Sequence, residues 1–202
     1  MGIPDQLLNI YRYGYLVNTG WIQSMLAGQS VDRNSNPVPW ISYAAIAFLE
    51  HRVSSTHSVF EFGSGMSTLW WARKSKFVWS VEHDREWLTK VTPLLPANAR
   101  VQFNELEYGG IYSQSATSTG MQFNIVSVDG RDRVNSAIFS LDALSSDGVI
   151  IWDDTNRERY GPGIRFLASK GFKRIDFEGM KPCTVEHTVT SIFYRSNNCL
   201  GI

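Results

Sequence analysis

The 202 residues match one domain of ordinary size, and a 43% hydrophobic content supplies the material for its core. Nineteen Lys and Arg balance nineteen Asp and Glu, so the chain lacks the charge excess of a nucleic-acid or membrane-surface binder. Seven Trp, eight Tyr and eleven Phe exclude a solvated coil.

Residues 1–8 carry neither a basic segment nor an apolar one of the kind that directs secretion, which predicts a cytoplasmic protein. The longest apolar run, residues 41–49, falls far short of the ~20 residues that span a bilayer. Cys183 and Cys199 have no C-x-x-C spacing and no His cluster beside them, and they read as reduced bystanders.

In chain order, residues 1–55 read as a helical cap and 56–202 as the main domain. Residues 6–15 and 20–26 form two short apolar-rich helices, and Asn34-Ser35-Asn36-Pro37-Val38-Pro39 breaks the pattern. A third helix opens at Pro39, with Trp40, Ile41, Ala44, Ala45, Phe48 and Leu49 on one apolar face. Strands at 59–62, 77–82, 100–103, 123–128 and 149–152 then alternate with helices at 67–74, 85–91, 133–144 and 163–170. Such alternation demands a mostly parallel sheet covered on both faces, a three-layer α/β domain. The β-rich segments 172–177 and 188–194 have no helix between them and should pair as an antiparallel hairpin. Residues 105–120, rich in Gly, Ser, Thr and Tyr, form a long connection of the sort that serves as a lid over a site.

The most informative segment is Glu61-Phe62-Gly63-Ser64-Gly65-Met66-Ser67-Thr68, where the first strand gives way to a helix. Glycine there permits φ > 0 and leaves no Cβ in the path of a ligand lying on the backbone. The helix behind it offers free N–H groups, with Ser67 or Thr68 placed to cap it. Glu82 closes the second strand, where a carboxylate can accept hydrogen bonds from ribose hydroxyls. A dinucleotide turn needs a third glycine for close helix–strand packing, and Thr68 stands there, which counts against NAD.

This turn, followed by Ser80-Val81-Glu82-His83-Asp84, resembles motif I and the second-strand acid of class I S-adenosylmethionine-dependent methyltransferases. More narrowly it is similar to a bacterial branch with a Phe-Glu-Phe-Gly-Ser-Gly-x-Ser-Thr turn. The resemblance spans about residues 40–194. It implies a Rossmann-like methyltransferase fold with an antiparallel C-terminal strand, and a cofactor site built from Glu61, Gly63, Ser64, Gly65, Ser67, Thr68, Glu82 and His83. In it Gly63, Ser64 and Gly65 line the amino-acid part, Glu82 takes the ribose and His83 lies near the adenine. Asn104 and Glu105 compete for the adenine amine.

On the acceptor side, strand four ends in Ser127-Val128-Asp129-Gly130-Arg131-Asp132-Arg133 and strand five in Trp152-Asp153-Asp154-Thr155-Asn156-Arg157. Ligands of open α/β sheets bind beyond the carboxyl ends of the strands, so both groups face the crevice of the glycine turn. Asp129, ending a very apolar strand, is the foremost candidate for a general base, with Asp153 beside it. Asp132 reads as a helix N-cap. Arg131, Arg157 and Tyr160 are expected to meet the acceptor, with Arg133 and Arg159 near the same rim. Asp129, Asp153 and Asp154 also resemble the acid cluster of cation-dependent O-methyltransferases, which implies a divalent ion such as Mg²⁺. The arginines offer a neutralisation without any ion.

These readings converge on methyl transfer from S-adenosyl-L-methionine to a small or glycan-like acceptor at oxygen, with no nucleic-acid or membrane partner. A catalytically silent binder of the same fold is the alternative, and an NAD-dependent oxidoreductase is a more distant one.

Overall fold

The computed structural model describes residues 5–202. Residues 1–4, part of the N-terminal stretch read above for targeting, lie outside the described residues. Three short helices come first, α1 (Asp5–Tyr13), α2 (Tyr15–Asn18) and α3 (Trp21–Ala27). The helix expected from Pro39 starts later, as α4 (Tyr43–Glu50). Its true start is Ser42, whose side chain accepts from the Ala45 N–H at 3.2 Å. The Ser42 N–H is itself bonded to Thr190 Oγ1, so Trp40 and Ile41 stay outside the helix.

Strands and helices then alternate: β1 (Ser58–Phe62), α5 (Met66–Lys74), β2 (Phe77–Glu82), α6 (Arg85–Val91) and β3 (Ala99–Phe103). A short α7 (Ser115–Ser118) precedes β4 (Phe123–Val128), α8 (Arg133–Phe139), β5 (Leu144–Trp152) and α9 (Gly161–Ser169). The hairpin β6 (Lys173–Gly179) and β7 (Thr188–Tyr194) ends the chain. The expected helix over 133–144 divides, its second half becoming a 3-10 turn at Ser140–Ala143. β5 begins earlier than its apolar run, because the polar Ser145 and Asp147 side chains meet Asn124 beside it.

The seven strands lie in the order β3-β2-β1-β4-β5-β7-β6, and β7 runs antiparallel to both neighbours. Period-two alternation divides the core between the two faces. Val59, Val78, Ile125, Val149, Ile151 and Ile192 point to one side, against Leu49 of α4 and Trp70 and Trp71 of α5. Phe60, Phe62, Val126, Val128, Ile150, Trp152 and Phe193 point to the other, against Ala137 of α8 and Leu167 of α9. Central β1 is therefore buried on both faces from Val59 onward, and Glu61 is the polar residue within that apolar run. The outermost strand β6 carries Lys173, Arg174, Asp176 and Glu178, charges that discourage edge-to-edge pairing.

The connection 105–120 is not an open lid along its whole length. Tyr112, Ser113, Ser115 and Ala116 are fully buried, while Glu105, Leu106, Glu107, Tyr108 and Ile111 face solvent. The connection is held from below by Asp132. That residue stands at the α8 N-cap but has a left-handed backbone (φ 45°), and its side chain caps nothing. Its carboxylate accepts from the Gly109 N–H at 2.7 Å instead. Both thiols are free, Cys183 against the Ser24 carbonyl and Cys199 against the Asn124 carbonyl. Among the described residues no helix is long and apolar enough to cross a membrane.

Candidate active site

The glycine turn lies at the carboxyl ends of β1 and β2. Gly63 (φ +93°) and Gly65 (φ +153°) both adopt backbone conformations that side chains disfavour. A Cβ on Gly63 would stand 3.2 Å from Gly130 Cα, so the turns after β1 and β4 touch here. This contact brings the residues expected to hold a cofactor and those expected to meet an acceptor side by side.

Beneath the turn, Glu61 is buried (1% exposed). Its Oε2 accepts from Thr68 Oγ1 at 2.5 Å and from Ser80 Oγ at 2.7 Å, while Oε1 has no partner. Thr68 Oγ1 also accepts from the Gly65 N–H at 3.0 Å. Glu61 and Thr68 thus brace the turn from below, and Ser67 lies half-buried in the first turn of α5. Burial pushes the Glu61 carboxyl up to about 7, although the hydroxyls around it favour the ionised form.

Glu82 is also buried, and its two oxygens differ. Oε1 accepts from the His83 and Asp84 N–H groups at 2.8 and 3.0 Å, with His83 Nδ1 2.8 Å away. Oε2 receives only the Ser64 hydroxyl, at 3.0 Å. A hydroxyl donor rotates freely, so the bond to Oε2 is the more readily exchanged of the two sets.

Two residues of this region carry no motif signal. Trp87 donates from Nε1 to the Ser64 carbonyl at 2.8 Å and lies over Gly65. It is placed there because Asp84 caps α6 and so sets the helix phase. Tyr112 sits between Phe62 and His83, with ring centroids 6.0 and 5.9 Å away. Its hydroxyl accepts from the Arg131 N–H at 3.2 Å and packs on Gly130. Burial raises its phenol above the ordinary range. The connection before α7 therefore packs against the turns after β1, β2 and β4. Asn104 Nδ2 donates to Ser115 Oγ at 2.7 Å, tying the same connection to the end of β3.

The acids after β4 and β5 form a closed ion-pair cluster. Arg133 Nη2 lies 2.9 Å from Asp129 Oδ1, and its Nη1 lies 3.2 Å from Asp154 Oδ2. Arg157 reaches Asp154 Oδ2 at 2.7 Å. Lys181, from the β6–β7 connection, lies 2.7 Å from Asp153 Oδ2 and 2.9 Å from Asp154 Oδ1. Among the described residues no group of three His, Cys, Asp or Glu side chains is arranged to hold a metal. The expectation of a divalent ion on Asp129, Asp153 and Asp154 is corrected accordingly, because three side-chain cations already occupy the space between these acids.

Burial drives the Asp129 carboxyl well above the usual range, and Arg133 only partly offsets it. Asp153 is raised for the same reason. For Asp154 the burial penalty is outweighed by Lys181 and Arg133, and its carboxyl falls below the usual range. Arg131 is exposed and Arg157 half-exposed at the rim. Tyr160 is buried against Trp152, with Arg159 donating to its hydroxyl at 3.2 Å.

The strand order and the reversed β7 give a Rossmann-like fold that the chain shares with solved S-adenosylmethionine-dependent methyltransferases. An rRNA methylase from Streptococcus thermophilus shares it with a TM-score of 0.57 at 13% identity, over 74% of this chain and 93% of that one. A methyltransferase-like protein from Silicibacter pomeroyi gives 0.56 at 21% identity, over 80% and 90%. Fibrillarin from Aeropyrum pernix, solved with natively bound S-adenosyl-L-methionine, gives 0.56 at 12% identity, over 70% and 68%. No family model matches the sequence, and no curated protein matches it. At these identities the likeness is one of fold.

Proposed function

We propose that the protein transfers a methyl group from S-adenosyl-L-methionine to a small or glycan-like acceptor, at oxygen. The observation that carries this reading is the pairing of Gly63 and Gly65 with the buried Glu82, whose Oε2 is held only by the Ser64 hydroxyl, at adjacent strand ends in this fold. The glycines give the turn the positive φ with which it borders the amino-acid part of the cofactor, Trp87 lies over Gly65, and Glu82 Oε2 exchanges the Ser64 hydroxyl for one of the ribose. The bound cofactor supplies an activated methyl on a sulfonium.

This chain's own residues align and desolvate the reacting groups, the principal demand of a displacement at carbon. Asp129 stands where the turns after β1 and β4 meet, and in its ionised form accepts the proton of an acceptor hydroxyl. Its raised pKa makes it a stronger base than an ordinary aspartate, and Arg133 holds its orientation. Arg131, Arg157 and Tyr160 face or underlie the rim at which the acceptor enters. The reading requires no divalent ion.

Equilibrium titration with S-adenosylhomocysteine and NAD in parallel tests the cofactor. The adenosyl compound binds and NAD does not, because Thr68 fills the position of the third glycine and is fixed to Glu61. Binding of NAD alone would overturn the reading. The silent-binder alternative is favoured by the Asp129–Arg133 ion pair, which quiets a base; cofactor binding without methyl transfer to any hydroxylated acceptor would establish it.

A further inference from the structure

The acid cluster is balanced one for one, Asp129, Asp153 and Asp154 against Arg133, Arg157 and Lys181. Lys181 differs from the two arginines in its placement. It lies outside both acid-bearing turns, on the connection between β6 and β7, and its side chain is only 12% exposed. Its ammonium bridges one oxygen from each of two adjacent carboxylates. The remaining oxygens are spent elsewhere: Thr190 Oγ1 donates to Asp153 Oδ1 at 2.6 Å, and Arg133 and Arg157 take Asp154 Oδ2. Thr188 Oγ1 adds a bond to Asp154 Oδ1 at 3.0 Å.

The connection that carries Lys181 is fastened to the N-terminal helices on either side of that residue. The Tyr43 N–H donates to the Met180 carbonyl at 2.9 Å, and Trp21 Nε1 to the Thr184 carbonyl at 2.6 Å. The exposed Trp40 ring lies 5.5 Å from Nζ. The ammonium is therefore held in place by tertiary structure.

We propose that Lys181 is the resident cation of this site: its ammonium occupies the place between Asp153 and Asp154 that a divalent ion would otherwise take. Neighbouring buried carboxylates repel strongly at low dielectric and need a counter-charge between them. An ammonium supplies one charge with three directed donors, where a metal supplies two charges and open coordination positions. The acceptor side is thus organised without a metal, and the pair Asp153–Asp154 is fixed for whatever docks beside Asp129. The inference concerns the acceptor side of the proposed methyl transfer, and its geometry stands apart from that reading.

The test is titration of the metal-free full chain with Mn²⁺, followed by electron paramagnetic resonance and calorimetry, with neither cofactor nor acceptor present. The wild type takes up no ion at this cluster up to about 1 mM, the weak end of biological divalent-ion sites. Lys181→Ala removes the ammonium, leaves the oxygens and binds one Mn²⁺ per chain. Asp153→Asn added to that variant weakens the uptake at least tenfold. Lys181→Arg stays closed to the ion. Mn²⁺ also raises the Tm of Lys181→Ala and leaves that of the wild type unchanged.

Uptake by the wild type that is lost in Asp153→Asn overturns the proposal, as does a folded Lys181→Ala that binds no ion. If Lys181→Ala is unfolded in metal-free buffer, recovery of its fold on adding Mn²⁺ supports the proposal, and failure to recover overturns it. None of these results depends on the cofactor titration, so failure of the methyl-transfer reading is recorded separately.

Discussion

Glu61→Gln is a probe of the floor of the glycine turn, and its effect has a sign fixed by pH. The wild-type carboxyl titrates near 4.5 when unfolded and near 7 in the fold, because burial disfavours its charge. Below pH 4.5 both states hold the proton, and between 4.5 and 7 only the folded state does. Unfolding then releases a proton, so rising pH weakens the fold until the native carboxyl has also ionised. A shift from 4.5 to about 7, at ~1.4 kcal/mol per unit, amounts to about 3 kcal/mol. Glutamine keeps an oxygen for Thr68 and Ser80 and places its amide nitrogen where Oε1 has no partner, as a protonated glutamate places its O–H. The variant therefore matches the wild type at pH 4 and is more stable by up to about 3 kcal/mol at pH 8. Urea unfolding of both proteins across this range measures the difference directly. A difference that stays constant with pH within about 0.5 kcal/mol would falsify the assignment of a neutral Glu61 beneath the turn.

Further outcomes follow from the same geometry. Glu82→Ala removes the oxygen that exchanges Ser64 for a ribose hydroxyl, and Gly65→Val forces a branched residue to φ +153°; each weakens S-adenosylhomocysteine at least tenfold, about 1.4 kcal/mol, by calorimetry. Unaltered affinity in both would remove the cofactor from this pocket. Tyr112→Ala empties a fully buried ring site between Phe62 and His83 and costs about 3–5 kcal/mol by denaturant unfolding. A cost under about 1 kcal/mol would show that the connection is not packed against the turns after β1 and β4. In hydrogen exchange without ligand, the amides of residues 112–116 are protected and those of 105–108 exchange rapidly; uniform exchange across the connection would contradict its burial. Asp129 must be ionised to act as a base, and burial raises its pKa. The methyl-transfer rate therefore falls on the acid side with a midpoint well above the ~3.9 of a free aspartate, and Asp129→Asn abolishes that limb. A rate independent of pH down to 5 would assign the proton to another group.

What the sequence by itself determines here is local. Strand–helix alternation, the hairpin at the end of the chain and the turn around Gly63 and Gly65 are all legible because each is written in contiguous residues. Glu82, Asp129 and Asp153 are legible too, since a polar residue closing an apolar strand marks the carboxyl edge of a parallel sheet. Helix starts were less so. Pro39 reads as the opening of a helix that Ser42 in fact caps, because Thr190, 148 positions away, holds the Ser42 N–H. Only the tertiary structure decided the state of the acids. Lys181 stands 28 positions from Asp153, on a strand connection without any motif, yet its ammonium bridges the pair that in sequence reads as a metal site. In the same way Asp132, in sequence a helix cap, spends its carboxylate on Gly109 and the Asn135 amide, and Tyr112 packs beneath Arg131 from what reads as a polar loop. Backbone conformation and hydrophobic periodicity are properties of neighbours in the chain. The charge and exposure of a buried side chain depend on neighbours in space, and those exist only once the sheet has closed around them.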